Sequence, residues 1–515
     1  MKRNLLLLIV ATFVLFGCKS ARPEGNFSNI EHPEWVKDAV IYEVNIRQYT
    51  PEGTFAAFEQ HLDRLQQIGV DVLWLMPIHP IGEDGRKGTL GSYYSIKNYC
   101  EVNPEFGTIE DFRHLLESAH QRGFKVILDW VANHTSRDAK WTVEHSDWYY
   151  KDSLGNLAVQ YDWTDIARLN YENPDLREEM IASMKYWIEL GVDGFRCDVA
   201  AEVPTDFWND AVVRLKEINP DLFMLAEAEK AELQYDAFNA YYTWDQMHNW
   251  YALAEGKIDA DSIANFYVNY QNRSGMPSNT IPMNFTTNHD QNSWYGTDTE
   301  MYGPAVRQFA VLSFVVPGMP LIYSGQEAGL DKRLEFFEKD LIDWEADQNN
   351  MADFYRELIA MRDKHACLWA QPWGGVMAIL PSDRPQEIFV FEREAEGDLC
   401  LAMFNFSDQT VTFNVDNHLV TRDSEFTLPP YGYHIIFSIG ECFGTCDECD
   451  ESHECDQCGK SHDCNKSKDG HKCKDGHKCE ADHKCEDGNK CEQQCDHCDK
   501  TVKSKAKTEV ETTDK

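Results

Sequence analysis

Four apolar runs along this chain end in acidic residues, and their types and spacing are what first suggests chemistry. One closes in Asp129-Trp-Val-Ala-Asn-His134 and a second in Gly194-Phe-Arg-Cys-Asp198. A third closes in Leu225-Ala-Glu227 and a fourth in Thr287-Asn-His-Asp290. His134, Arg196 and His289 stand beside the carboxylates. Hydrolysis of a glycosidic bond needs two carboxyl groups flanking it. One stays anionic and attacks; the other must hold a proton near neutral pH, which a crowd of carboxylates encourages. Taken singly, each acid reads as readily as a helix N-cap or half of an ion pair. Four of them on successive strand ends that converge on one axis do not.

The surrounding pattern supplies such an axis. Strand-like runs are Ala39–Ile46, Val70–Met76, Lys125–Asp129, Gly194–Asp198, Phe223–Glu227, Ala240–Trp244, Met283–Thr287 and Pro320–Tyr323. Between them lie helical periods such as Phe55–Gly69, apolar at Phe55, Phe58, Leu62, Leu65 and Ile68, and Leu176–Leu190. Eight strands alternating with helices predict an α/β fold, a (β/α)8 TIM barrel, whose catalytic groups sit at the C-terminal strand ends. A doubly wound sheet ranks lower, because no Gly-rich phosphate loop follows the first strand. Residues 37–365 are read as this barrel, with a Trp-, Tyr- and Asp-rich insertion at about 136–165 after strand 3. Residues 366–440 turn to short alternating strands (Ile388–Phe391, Leu399–Phe404, Thr410–Val415, His434–Phe437), an antiparallel β-domain.

Composition narrows the partners. The 515 residues are 43% hydrophobic and 12% aromatic, enough for one large core and a small one. The net charge of −39 would repel nucleic acid and anionic membrane, and suits a neutral sugar polymer. Residues 1–18 read as a signal: Lys2 and Arg3, then the apolar run Leu5–Phe16, then Gly17-Cys18. This ending resembles the lipobox of bacterial lipoproteins, which implies lipidation at Cys18 and a short linker at 19–36. The expectation is an exported, lipid-anchored protein at the outer membrane or cell surface, or facing the periplasm. Membrane contact would be through that anchor alone, with the protein a monomer.

The four strand-end segments together resemble the conserved regions of the α-amylase family of glycoside hydrolases, from about Ala39 to Trp344. The resemblance implies that Asp198 is the nucleophile, Glu227 the general acid/base and Asp290 the third carboxylate. It assigns His289, Asp129 and His134 to the same sugar, and Tyr94 of Gly-Ser-Tyr-Tyr-Ser to the platform beneath it. Arg196, two residues before Asp198 and on the same strand face, can hold that carboxylate ionised. The implied reaction is a double displacement through a covalent glucosyl–enzyme, with retention of the α configuration. No cofactor is required for it. Many members bind a structural calcium; Asn133 matches one ligand, but Arg168 stands where an acid is expected, so calcium is not expected here. Gly91, three residues before Tyr94, replaces an Asp that closes the pocket of exo-acting members. That favours an endo-acting α-amylase on starch, glycogen or maltodextrins.

Two alternatives stand beside that reading. Asp198-Val-Ala-Ala-Glu-Val203 is similar to the cyclomaltodextrinase and neopullulanase branch, and transglycosylation is also open. Members of that branch usually carry an extra N-terminal β-domain, and the interval between signal and first strand leaves no room for one. A non-catalytic starch- or metal-binding surface protein is less consistent with an intact Asp198, Glu227 and Asp290. The tail, 441–515, holds twelve of the 17 cysteines, in a hexad repeat almost without large apolar residues. Cys446 and Cys449, Cys455 and Cys458, and Cys495 and Cys498 have thiolate-chelate spacing, with histidines interleaved. Such tracts bind Zn²⁺ or another soft cation, or are laced by disulfides in an oxidising compartment.

Overall fold

The computed structural model describes residues 26–271, 275–346, 349–415, 425–438 and 442–445, and two short strands, Glu454–Cys455 and Lys460–Ser461. Cys18 and the signal, the tail residues Cys446, Cys449, Cys458, Cys495 and Cys498, and the side chain of Cys455 lie outside the described residues. No helix among the described residues is long and apolar enough to cross a membrane.

Eight parallel strands close into a barrel: β1 (Ile41–Val44), β2 (Val72–Leu75), β3 (Lys125–Trp130), β4 (Gly194–Cys197), β5 (Phe223–Ala226), β6 (Ala240–Tyr242), β7 (Ile281–Asn284) and β8 (Met319–Tyr323). Every strand pairs with its sequence neighbour, and β1 closes on β8. Seven of the eight fall where the apolar runs predict them. The seventh is displaced, ending at Asn284 rather than Thr287: β6 stops at Tyr242, which faces Met283, and the ladder with β8 ends at Pro320 facing Asn284.

The barrel floor is apolar and its mouth polar, for one reason. Side chains two apart point the same way along a strand. Ile41 leads to Glu43, Ile127 to Asp129, and Leu225 to Glu227, so each apolar layer is capped by an acid one step nearer the C-terminal end. Gly194 opens β4 where a Cβ would lie 2.0 Å from the Phe223 carbonyl, so the β4–β5 approach requires glycine. The predicted helix Phe55–Gly69 is two pieces, Phe55–Glu59 and Leu62–Ile68. Gln60 and His61 donate to Ala57 and Phe58, three residues back, a local 3₁₀ tightening that leaves the buried stripe continuous. Gly69 ends it in the left-handed conformation.

The predicted insertion after strand 3 is a loop held at its base by a hairpin of His134–Ser136 with Ile166–Arg168. Beyond the barrel, helix Met351–Lys364 leads into a sheet of order β9 (Val376–Leu380), β10 (Ile388–Ala395), β11 (Asp398–Asn405), β14 (Tyr433–Phe437) and β15 (Cys442–Gly444). A hairpin of β12 (Val411–Asn414) and β13 (Glu425–Leu428) covers its far face. Strand β15 carries the sheet a few residues into the segment whose composition reads as tail. The near face packs Phe389, Phe391, Phe404 and Phe437 into the same core as the barrel helices. Buried Arg393 fastens this junction, donating to the carbonyls of Gly375, Val315, Val316, Leu368 and Trp369.

Candidate active site

Arg196 organises the mouth of the barrel. Its Nη1 donates to Asp129 Oδ1 at 2.9 Å and to Asp198 Oδ1 at 3.0 Å. Its Nη2 is 2.9 Å from Glu227 Oε2, an ion pair rather than an aligned hydrogen bond. One guanidinium, fully buried, therefore gathers carboxylates from the ends of β3, β4 and β5. Asp129 accepts two further bonds, from Tyr94 Oη at 3.0 Å and Trp74 Nε1 at 3.2 Å. Three protein donors thus hold Asp129, which is fully buried behind the cleft.

Glu227 also accepts the Val199 N–H at 2.7 Å. Val199 has φ 36° and ψ 47°, a left-handed conformation costly for a β-branched residue. Strain of this kind persists only where its surroundings enforce it, and here it aims a donor at the acid.

Burial pushes Glu227 up to about 8; Arg196 opposes the shift, and Asp198 and Asp290 add to it. Burial raises Asp198 only to about 6, Arg196 again opposing. The environments thus separate two nearby carboxyls in the sense that assigns them. At neutral pH Asp198 is the anion and Glu227 the proton holder. The pair can attack a carbon with one oxygen while protonating a leaving group with the other.

His289 is the cation of the opposite wall. Its Nδ1 bonds to Glu43 Oε1 and its Nε2 lies 2.8 Å from Tyr94 Oη. Tyr94 gives its only proton to Asp129, and a Glu43 carboxylate can only accept, so both ring nitrogens of His289 carry protons. Burial works against that charge; Asp290 and Glu43 outweigh it and raise His289 to about 9. Asp290 Oδ2 is 3.4 Å from Nε2, its side chain a third exposed. His134 is held neutral instead, burial lowering it to about 4. Asn133 Nδ2 lies 3.1 Å from His134 Nδ1, which leaves Nε2 as the protonated nitrogen.

These groups open on a cleft of about 370 Å³ lined by Tyr94, His134, Asp198, Glu227 and Asp290, all predicted site residues. Arg196, Asp129 and His289 lie just behind them. The sequence reading missed Glu43, whose contact with His289 spans 246 residues. It also missed the aromatic wall of Trp163, Trp294, Phe336 and Phe337. Phe336 stacks on Tyr94 at 6.2 Å and meets Trp294 at 5.3 Å, while Trp294 remains 52% exposed. Trp294 follows Asp290 closely and could have been suspected; Phe336 sits in a stretch with no motif.

Around Asn133, the residue matched to a calcium ligand, the side chains pair with one another. Asn133 Nδ2 donates to Gln160 Oε1 at 2.7 Å, and Gln160 Nε2 donates to Glu202 Oε2 at 2.9 Å. Arg168 Nη2 is 3.6 Å from Glu202 Oε2, with its guanidinium over Tyr150. Calcium takes six to eight oxygen ligands. One carboxylate, already paired with an arginine, and two amides joined to each other do not fit that ion.

A (β/α)8 barrel with paired, unequally protonated carboxyls at the mouth of an aromatic-walled cleft has the constitution of a glycoside hydrolase. The sequence agrees. Residues 25–147 and 142–374 match the family described as alpha amylase, catalytic domain, and the chain belongs to that family of glycoside hydrolases. It is 28% identical over 404 residues to alpha-amylase MalA of Haloarcula japonica, across 74% of this chain and 57% of that relative's length. It is 26% identical over 428 residues to a cyclomaltodextrinase from a Bacillus species, across 72% of this chain and 73% of the other. An alpha-amylase from Lactobacillus plantarum superposes with a TM-score of 0.71 at 29% identity, covering 78% of this chain and 99% of that one.

Proposed function

We propose that the protein is a retaining, endo-acting hydrolase of α-1,4-glucosidic bonds in starch, glycogen or maltodextrins. The observation that carries this reading is the convergence of Asp198 and Glu227 on one buried arginine at the cleft, with burial raising Glu227 further than Asp198. Glu227 gives its proton to the glycosidic oxygen as Asp198 attacks the anomeric carbon, and a glucosyl–enzyme ester forms. Glu227, now anionic, takes a proton from water, whose oxygen attacks the same carbon and releases sugar with the α configuration. Asp290 and the charged His289 bond hydroxyls of the distorted sugar more tightly in the transition state than in the relaxed one. Gly91 stands where exo-acting members of the family carry a pocket-closing Asp, which supports endo action. Arg168, with Gln160, takes the part that calcium plays in many relatives, and catalysis needs no cofactor.

A cyclomaltodextrinase-like activity is the second reading. It is favoured by Asp198-Val-Ala-Ala-Glu-Val203 and by the extent of the match to the Bacillus cyclomaltodextrinase. Product profiles on amylose, pullulan and cyclodextrin separate the two. An endo-acting amylase cuts amylose to mixed oligomers and leaves cyclodextrin slowly used; preference for cyclodextrin over amylose would replace the first reading with the second. The chain is exported, on this proposal, and anchored through lipid on Cys18. Its Cys/His tail takes up zinc or a similar soft cation, separately from catalysis.

A further inference from the structure

Far from the cleft's lining, where the last barrel helix meets the β-domain, donors of three chemical kinds converge. Helix Met351–Lys364 ends at His365, whose ring stacks on Phe437 at 3.5 Å. The 3₁₀ turn Ala366–Leu368 carries Cys367, and β11 carries Asp398 and, two residues on, Cys400. His365 Nδ1 is 3.2 Å from Asp398 Oδ2, and the Cys367 N–H donates to the same oxygen at 3.4 Å. The Cys367 and Cys400 thiols touch, and both residues are fully buried. One donor atom from each of His365, Cys367 and Asp398 lies within 4.8 Å of the others, the only such grouping among the described residues.

We propose that these residues form a structural zinc-class metal site, with His365 Nδ1, Cys367 Sγ and an Asp398 oxygen as ligands; the Cys400 thiol, which touches Cys367 but stands outside that grouping, would reach the fourth position by a side-chain rotation. Tetrahedral zinc bonds of about 2.0–2.3 Å put neighbouring donors about 3.5 Å apart, so the three need draw in by only on the order of 1 Å. Thiolate and imidazole ligands select zinc over hard cations such as calcium or magnesium. Charge also balances. Zn²⁺, the Cys367 thiolate and the Asp398 carboxylate sum to zero, and Arg393, in electrostatic contact with both thiols, offsets a thiolate at Cys400. A cavity of about 290 Å³ lined by Glu357, Lys364, His365, Phe437 and Cys442 gives an entry path. Bound metal would join the barrel side, His365 and Cys367, to the β-domain side, Asp398 and Cys400.

The test uses the full chain, reduced with a phosphine and stripped by a chelator, with Zn²⁺ as the probe. Zinc in large excess over its Kd should raise Tm by on the order of 5 °C. That shift should be lost in His365→Gln and in Cys367→Ser, both of which keep starch-hydrolysing activity. The tail is the same in wild type and variants, so zinc held there cannot create the difference. Should a variant fold poorly, Co²⁺ absorption gives a second readout. The thiolate-to-cobalt band of the wild type should weaken in Asp398→Asn and Cys400→Ser relative to the common tail background. Equal zinc shifts in wild type and folded variants, cobalt spectra that do not differ, or a Cys367–Cys400 disulfide found by peptide mapping of unreduced protein would each overturn the proposal.

Discussion

Glu43→Gln tests whether the charge on His289 matters to turnover. Glu43 is wholly buried, touches no sugar-facing group except through His289, and has one oxygen, Oε2, without a hydrogen-bond partner among the described residues. Glutamine keeps the size and can still accept from His289 Nδ1, but its amide replaces the unpartnered oxygen and the negative charge is gone. Burial is then opposed by Asp290 alone, so His289 loses its proton at a lower pH than in the wild type, and above that pH the ring is a neutral donor. A hydrogen bond from a charged donor is worth about 1.5–3 kcal/mol against about 0.5–1.5 for a neutral one. The loss of about 1–1.5 kcal/mol corresponds to about tenfold in kcat/KM. It should fall mainly on kcat, because the bond strengthens in the distorted transition state. The assay is kcat/KM on a maltooligosaccharide across pH, beside thermal melting as a control for the buried amide. Folding linkage gives a second sign. His289 sits above its ordinary 6.5, at about 9, so its contribution to stability is complete below about pH 6.5 and lost as pH rises through 9. The variant should lack that alkaline loss. A folded Glu43→Gln enzyme with wild-type kcat/KM and an unchanged pH profile would refute the reasoning.

Activity should follow a bell in pH, falling below about 6 as Asp198 takes a proton and above about 8 as Glu227 loses one; a flat profile across that window would exclude the assignment. Asp198→Asn should remove nearly all turnover without lowering Tm by much, and Glu227→Gln should be rescued on substrates whose leaving groups need no proton. Calcium added to chelator-treated protein should leave Tm unchanged, since Arg168 and Gln160 already satisfy Asn133 and Glu202; a rise of several degrees would show a calcium site after all. Trp294→Ala should raise KM by about tenfold with Tm unaltered, the loss expected of one exposed aromatic contact to a sugar face. An unchanged KM would place that ring outside the substrate path.

The barrel strands, and the acids at their ends, were legible because both depend on local order. Alternation along a strand decides which residues point inward, and the chain direction decides which end faces the mouth, so Asp129, Asp198 and Glu227 could be placed from spacing alone. The helical stripe from Phe55 to Ile68 was legible for the same reason, although its 3₁₀ tightening at Gln60 was not. What pairs across the barrel was decided only by closure. Glu43 meets His289 because closure sets β1 on β8, one strand from β7, after whose end His289 follows, and Arg196 bridges three strand ends because β3, β4 and β5 lie side by side although far apart in sequence. The unequal protonation of Asp198 and Glu227 likewise depends on burial and on distances to one guanidinium, which no spacing encodes. The convergence of His365 and Cys367 with Asp398 and Cys400 has no sequence signature either. It exists because the β-domain packs its near face against the end of the last barrel helix, bringing a 3₁₀ turn and a strand about thirty residues apart into contact.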